Sequence, residues 1–171
     1  NYYKVNHVVN FTDVDDKTIK ASKNENIPLK DLTLKYEKIY IQDIDSLNIL
    51  KPTHFLRATD NIDKMISLIM SLLKKEFAYA TSDGVYFSIS KSKGYGKLAG
   101  LDKMTITKER VLSDEYDKSS PKDFALWKFW TKDDGKVFLE APFGKGRPGW
   151  HIECSAMSMK ELGETIDIHT G

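Results

Sequence analysis

Two side chains able to ligate metal or attack an electrophile, His151 and Cys154, stand three residues apart in the run Gly146-Arg147-Pro148-Gly149-Trp150-His151-Ile152-Glu153-Cys154-Ser155-Ala156-Met157. A loop rich in glycine and proline feeds straight into a helix here. Free backbone N–H groups at such a helix start can receive an anion or the negative end of a ligand. On the helix, Ile152, Ala156, Met159 and Leu162 form an apolar stripe, while His151, Cys154, Ser155 and Ser158 share another face. His151 and Cys154 are then neighbours, within reach of one ligand or metal. Zinc takes three or four protein ligands, so the pair alone does not establish a metal site. A single helical cysteine is most often just a small buried hydrophobe.

Two further stretches carry polar chemistry. Asn10-Phe11-Thr12-Asp13-Val14-Asp15-Asp16-Lys17 holds three carboxylates in four residues. That density suits either a divalent cation or the capping of a following helix, and it lacks the glycine and distal glutamate of a calcium-binding loop. Asp167-Ile168-His169 places a histidine at the carboxyl end of an expected short buried strand (166–169), where open α/β sheets bind ligands. A lone histidine is more often structural than catalytic.

The elements that would position these groups follow from the hydrophobic pattern. Residues 3–9 read as a strand through Val5, Val8 and Val9. Thr12 or Asp13 would cap a helix running to about Asn24. Leu32, Tyr36, Ile39, Tyr40, Ile44 and Leu47 recur at spacings of three and four, giving an amphipathic helix over 31–48. A second such helix, with Asp60 as its cap, covers 60–75 through Met65, Ile66, Ile69, Leu72 and Leu73. Ala78–Ala80 and Val85–Ile89 read as a hairpin turning on Asp83-Gly84. Residues 91–122 read as loop, with at most one short helix. Phe124–Trp130 is an aromatic strand with most rings in the core, 142–149 a loop, and 151–162 a helix.

Charge and composition narrow the classes. Twenty-six Lys and Arg against 25 Asp and Glu exclude a uniformly basic nucleic-acid binder, though Lys91, Lys93 and Lys97 form a local basic cluster. One cysteine forbids an intrachain disulfide and suits a reducing, cytoplasmic setting. No apolar run approaches the roughly 18 residues of a membrane span, and the start Asn1-Tyr2-Tyr3-Lys4-Val5 has no signal-peptide core. Both ends read as cut.

In this order, the segments Asn10–Lys17, Arg57-Ala58-Thr59, Tyr95-Gly96-Lys97-Leu98, Pro121–Lys128, Gly146–Met157 and Asp167–His169 resemble the cysteinyl-tRNA synthetases, over nearly the whole chain. The resemblance implies an α/β fold, part of a class I Rossmann-type catalytic domain with an inserted α+β connective peptide. Residues 1–50 would be Rossmann strand and helices, 51–140 the insertion, and 141–171 the re-entry into the second Rossmann half. It implies an enzyme that activates cysteine with ATP and charges tRNA(Cys), with an active-site zinc reading the substrate thiolate. Carried over by position, Cys154 would be one of four zinc ligands, Thr12, Trp150 and His151 would line the substrate pocket, and His169 would contact the nucleotide. The other three zinc ligands and further ATP motifs of that family would lie outside this chain, so the chain alone is expected to be inactive. Ala156-Met157-Ser158-Met159-Lys160 resembles the family's mobile lysine loop but reads as helix, with its methionines near the core. Alternatives are a related ligase joining cysteine to an amino-sugar acceptor and a non-catalytic module binding RNA or a partner protein.

Overall fold

In the computed structural model, residues 2–97 and 123–170 are described; most of the predicted 91–122 loop, with Leu98, Pro121 and Lys122, lies outside them. The architecture is α/β with two sheets. Strand β1 (Val8–Phe11) pairs in parallel with β2 (His54–Arg57), in the register Val8 to His54 through Phe11 to Arg57. The antiparallel sheet runs in the order β3 (Ala78–Ala80), β4 (Gly84–Phe87), β5 (Phe124–Phe129), β6 (Gly146–Pro148). Between β1 and β2 lie helices α1 (Asp16–Glu25) and α2 (Leu29–Ser46); α3 (Ile62–Lys74) leads into β3, and α4 (Trp150–Leu162) follows β6. The parallel pair thus takes β2 from beyond residue 50, and the antiparallel sheet takes β6 from beyond residue 140.

The first helix starts later than its acidic run suggests. Asp15, not Thr12 or Asp13, is the N-cap: its carboxylate accepts from Thr18 N at 2.7 Å, while Thr18 Oγ1 accepts from Asp15 N at 2.8 Å. This reciprocal pair satisfies two N–H groups that a helix start otherwise leaves open. Asp13 is drawn away to accept from the backbone N–H and hydroxyl of Thr59. Asp60 does not cap α3 either. A 3-10 turn at Thr59–Asn61 precedes that helix, Asn61 holds the cap position, and Asp60 faces Arg57 Nη1 at 3.7 Å.

The core is built from one face each of α3 and α4 against β4 and β5: Met65, Ile69, Val85, Leu126, Trp127, Ile152 and Met157 are all buried. The expected faces hold for α3 and only partly elsewhere. On α2, Leu32 and Ile44 are buried but Tyr36, Ile39 and Tyr40 stay exposed, as does Leu47 just past its end. On α4 the buried stripe is Ile152, Glu153, Ala156 and Met157; Met159 is 42% exposed, so of the two methionines only Met157 lies in the core.

Two strands escape the hydrophobic pattern. Strand β2 follows Pro52, is four residues long, and finds its partner in β1. Strand β6 replaces the tail of the expected 142–149 loop and pairs Arg147 with Lys128 and Pro148 with Trp127. As the outer member of its sheet, β6 tolerates a proline because no further strand needs its N–H. Gly146 is required by proximity, since a methyl there would overlap the Lys128 carbonyl. Gly84 has the same reason: it lies in β4 against the Trp127 carbonyl and does not form the corner of the hairpin. The expected strand at 166–169 is absent. Ile168 is 81% exposed, and no described strand lies alongside to pair with it.

Candidate active site

Strand β1 ends at Phe11 and delivers Thr12 to the first turns of α4. Thr12 Oγ1 donates to Glu153 Oε2 at 3.0 Å, a bond between residues 141 apart in sequence. Beside it, the Cys154 thiol points at Asn10 Oδ1 at 3.7 Å, the longer contact that sulfur makes. Asn10, Thr12, Glu153 and Cys154 therefore meet where the carboxyl end of a parallel strand faces a helix start, a place that gathers ligands in α/β folds. A cavity of about 530 Å³ borders the same segment, between β1, α1 and α2, lined among others by Asn10, Thr12, Asp13, Lys17, Glu37 and Tyr40.

Glu153 is the residue that pattern reading missed. It is 0% exposed, and its Oε1 has no hydrogen-bond partner among the described residues. Burial pushes its carboxyl up to about 8; the Thr12 hydroxyl works against that rise, and the nearby charges of Asp13 and Asp15 add to it. The signal was present in the spacing. Glu153 falls between Ile152 and Ala156 and four residues before Met157, so it is an acid on an apolar stripe. The Cys154 thiol, half-buried, is also raised, first by burial and then by the charge of Glu153.

The three carboxylates of the 13–16 run are each held by protein donors. Asp13 takes Thr59, Asp15 takes Thr18, and Asp16 pairs with Lys128 Nζ at 2.7 Å and with the Arg147 guanidinium. Burial alone would raise the Asp16 carboxyl, but the Lys128 hydrogen bond and the Arg147 and Lys128 charges outweigh it and hold it below the ordinary value. Arg147 in turn donates to Asp134 Oδ1 at 2.6 Å, and Asp134 accepts from Thr131 N at 2.7 Å. The run therefore works as cap and ion-pair anchor, tying α1 to β5 and β6.

The remaining candidate residues are placed differently. Trp150, the first residue of α4, is 66% exposed. His151 sets its ring edge-on against Phe124 at 4.8 Å, with Trp150 at 5.6 Å on another side. His169 is exposed in the irregular segment after α4, and no contact brings it to the others. Among the described residues no group of three or more His, Cys, Asp or Glu could hold a metal ion. These residues do not make a zinc site by themselves; the half-buried Cys154 thiol lies at the β1–α4 junction beside the Glu153 carboxyl.

Glycine sets how closely α4 approaches the sheet. A methyl on Gly149 would overlap the Ala125 carbonyl of β5, and Gly149 N donates to Leu126 O at 2.9 Å. The start of α4 is therefore pinned to β5 one residue before Trp150. At its other end Lys160 Nζ donates to Asn61 Oδ1 at 2.8 Å.

The family described as tRNA synthetases class I (C) catalytic domain matches residues 1–171. A cysteine–tRNA ligase of Brachyspira hyodysenteriae is 54% identical over 172 residues, covering 99% of this chain and 36% of that protein. Those of Chlamydia pneumoniae and Methanococcus vannielii are each 46% identical, covering 99% of the chain and 36% and 35% of their own lengths. The chain thus spans about a third of the length of the curated relatives it matches.

Proposed function

The chain belongs to the class I tRNA synthetase (C) catalytic-domain family, and from that premise we propose that it forms part of a cysteine–tRNA ligase. The observation that carries the reading is identity of 46–54% to such ligases across 99% of the chain. The meeting of Thr12 with Glu153 and of Asn10 with Cys154 at one strand end supports it. In this reading the whole protein joins cysteine to ATP, releasing pyrophosphate and forming cysteinyl adenylate, then passes the cysteinyl group to tRNA(Cys).

The residues of this chain bind and position. Thr12, fixed by its hydrogen bond to Glu153, presents one wall of the substrate pocket. Trp150 and His151, at the start of α4, would line the same pocket, with His151 held against Phe124. Cys154 contributes one ligand to a zinc site completed by residues outside this chain, and His169 belongs to the nucleotide side. Zinc, when bound, would favour a thiolate over a hydroxyl, which lets a site reject serine by coordination rather than editing. Residues 1–50, 51–140 and 141–171 as Rossmann segment, connective insertion and re-entry form part of the same proposal, with β2 and β6 as the strands that bind these segments to one another. So does a cytoplasmic location; no helix among the described residues is long and apolar enough to cross a membrane.

The test uses a protein of the relatives' full length carrying these residues. Pyrophosphate exchange should depend on cysteine and ATP and should ignore serine. Replacing Cys154 with serine should lower bound zinc, measured by elemental mass spectrometry of the purified protein. Exchange indifferent to the amino acid, or zinc content unchanged in Cys154→Ser, would refute the corresponding part.

A further inference from the structure

Asn10 stands third in the strand Val8-Val9-Asn10-Phe11, among residues that favour extended backbone while asparagine itself does not. Phe11 turns to Tyr40 and Phe55, with ring centroids at 5.6 and 5.3 Å. Alternation along the strand then sends Asn10 to the opposite face, where α4 passes. There Asn10 Oδ1 accepts from the Cys154 thiol at 3.7 Å. The same amide carries two N–H donors on Nδ2, and no hydrogen bond among the described residues uses them. Both partners are held by their elements: Asn10 lies opposite Leu56 in the β1–β2 pair, and the start of α4 is pinned through Gly149 N to Leu126 O.

A thiol and a metal-bound thiolate ask opposite things of such a neighbour. The thiol donates its one proton and needs an acceptor. When sulfur gives a lone pair to a metal, that proton passes to water, and the remaining lone pairs on sulfur accept N–H bonds. An amide answers both needs by a half-turn about its last side-chain bond, which exchanges Oδ1 for Nδ2. A carboxylate offers only the acceptor, and an aliphatic side chain offers neither. Outer partners of this kind orient a metal's ligand and tune its donor strength. Resting on the ligase reading above and its zinc ligand Cys154, we infer that Asn10 is a positioning residue for that sulfur. It holds the free thiol as an acceptor and the metal-bound thiolate as a donor, acting through Cys154 and not on the metal.

The experiment uses a protein of the relatives' full length carrying these residues. Zinc affinity is measured by competition with a chelator, and the thiolate-to-metal charge-transfer absorption is recorded with cobalt(II) in place of zinc. Asn10→Leu keeps the size of the side chain and removes the amide, and should weaken zinc binding by roughly 10- to 100-fold. Without an N–H bond to stabilise the sulfur lone pairs, the charge-transfer band should move to lower energy. Asn10→Ala, which only removes atoms, should do the same. Asn10→Gln restores an amide and should recover both affinity and band position in part. Melting of the metal-free proteins shows whether each variant folds. Unchanged affinity in Asn10→Leu and Asn10→Ala, or weakened affinity with the band unmoved, would overturn the role of Asn10. A wild-type protein that binds no zinc would instead overturn the zinc reading, so the two failures are distinguishable.

Discussion

Replacing Gly149 with alanine tests whether α4 is positioned by backbone contact with β5. A methyl at this position would overlap the Ala125 carbonyl and lie within 2.6 Å of the Ala125 carbonyl carbon, both backbone atoms that cannot turn aside. The start of α4 must therefore move off the sheet, weakening the bond from Gly149 N to Leu126 O. Overpacking of this kind costs about 1–3 kcal/mol. Losing the hydrogen bond adds about 0.5–1.5 kcal/mol. The lower entropy of unfolded alanine returns only about 0.4–1 kcal/mol, so the net is a destabilisation on the order of 2 kcal/mol. In a domain of this size that lowers Tm by roughly 4–8 °C, readable by tryptophan fluorescence on heating. Gly94 supplies the control. Its added methyl would meet nothing within 4 Å, so Gly94→Ala should leave Tm unchanged or slightly raised. Equal melting of Gly149→Ala and wild type, or equal losses in the two variants, would refute the close-approach argument.

Three further outcomes follow from the same contacts. Asp16→Asn removes the partner of Lys128 and part of that of Arg147 and, because Asp16 is 48% exposed, should cost no more than about 1 kcal/mol. Its carboxyl is depressed when folded, so this contribution is fully present above the ordinary value of 3.8 and disappears as pH falls through the lower folded value; urea midpoints of variant and wild type should differ at neutral pH and converge in acid. Thr12→Val keeps shape but leaves Glu153 Oε2 without its donor beside an Oε1 that already lacks one, and should destabilise by about 1–3 kcal/mol in urea unfolding. Met157→Ala opens a cavity on the α4 face, where the side chain is 1% exposed, and should cost about 2–5 kcal/mol by the same measurement.

How far the sequence is legible depends on where the information sits. Helices α3 and α4 are local: their 3.6-residue period names Met65, Ile69, Ile152 and Ala156, and all four are buried. Strand β5 is legible because large aromatic and apolar residues fill five of its six positions, Lys128 being the exception. Strands β2 and β6 are not, because nothing in Phe55-Leu56 or Arg147-Pro148 demands extension; their partners do, and those are 46 and about 20 residues away. The same holds for the site. The Gly146–Met157 run is visible as a loop entering a helix, whereas the acid on its buried face shows its consequence only once Thr12 arrives from 141 residues away. The acidic 13–16 run was read two ways from sequence, and the structure supplies Thr59, Thr18, Lys128 and Arg147 as its donors. His169 shows the opposite error: an Ile-Asp-Ile-His pattern suits a strand, but a strand needs a neighbour, and none of the described strands provides one.

The junction of β1 and α4 is fixed from several independent directions, and this bears on what it can do. Gly149 sets the distance of the helix start from β5. One residue before Pro148, Arg147 sits between Asp16 of α1 and Asp134, so the strand entering α4 is tied to the helix that leaves the Thr12 segment. Lys160 ties the last turn of α4 to Asn61 ahead of α3. Thr12 and Glu153 then bond across a gap that none of these ties depends on. A substrate group meeting Thr12 would find the hydroxyl already oriented, with little ordering left to oppose binding. The anchor residues hold the elements rather than the Thr12–Glu153 bond itself, yet releasing one should loosen Thr12, Glu153 and Cys154 together. That separates an anchor from a pocket residue: Arg147→Met should affect binding of every substrate at the junction alike, whereas a change at Cys154 should affect discrimination between thiol and hydroxyl.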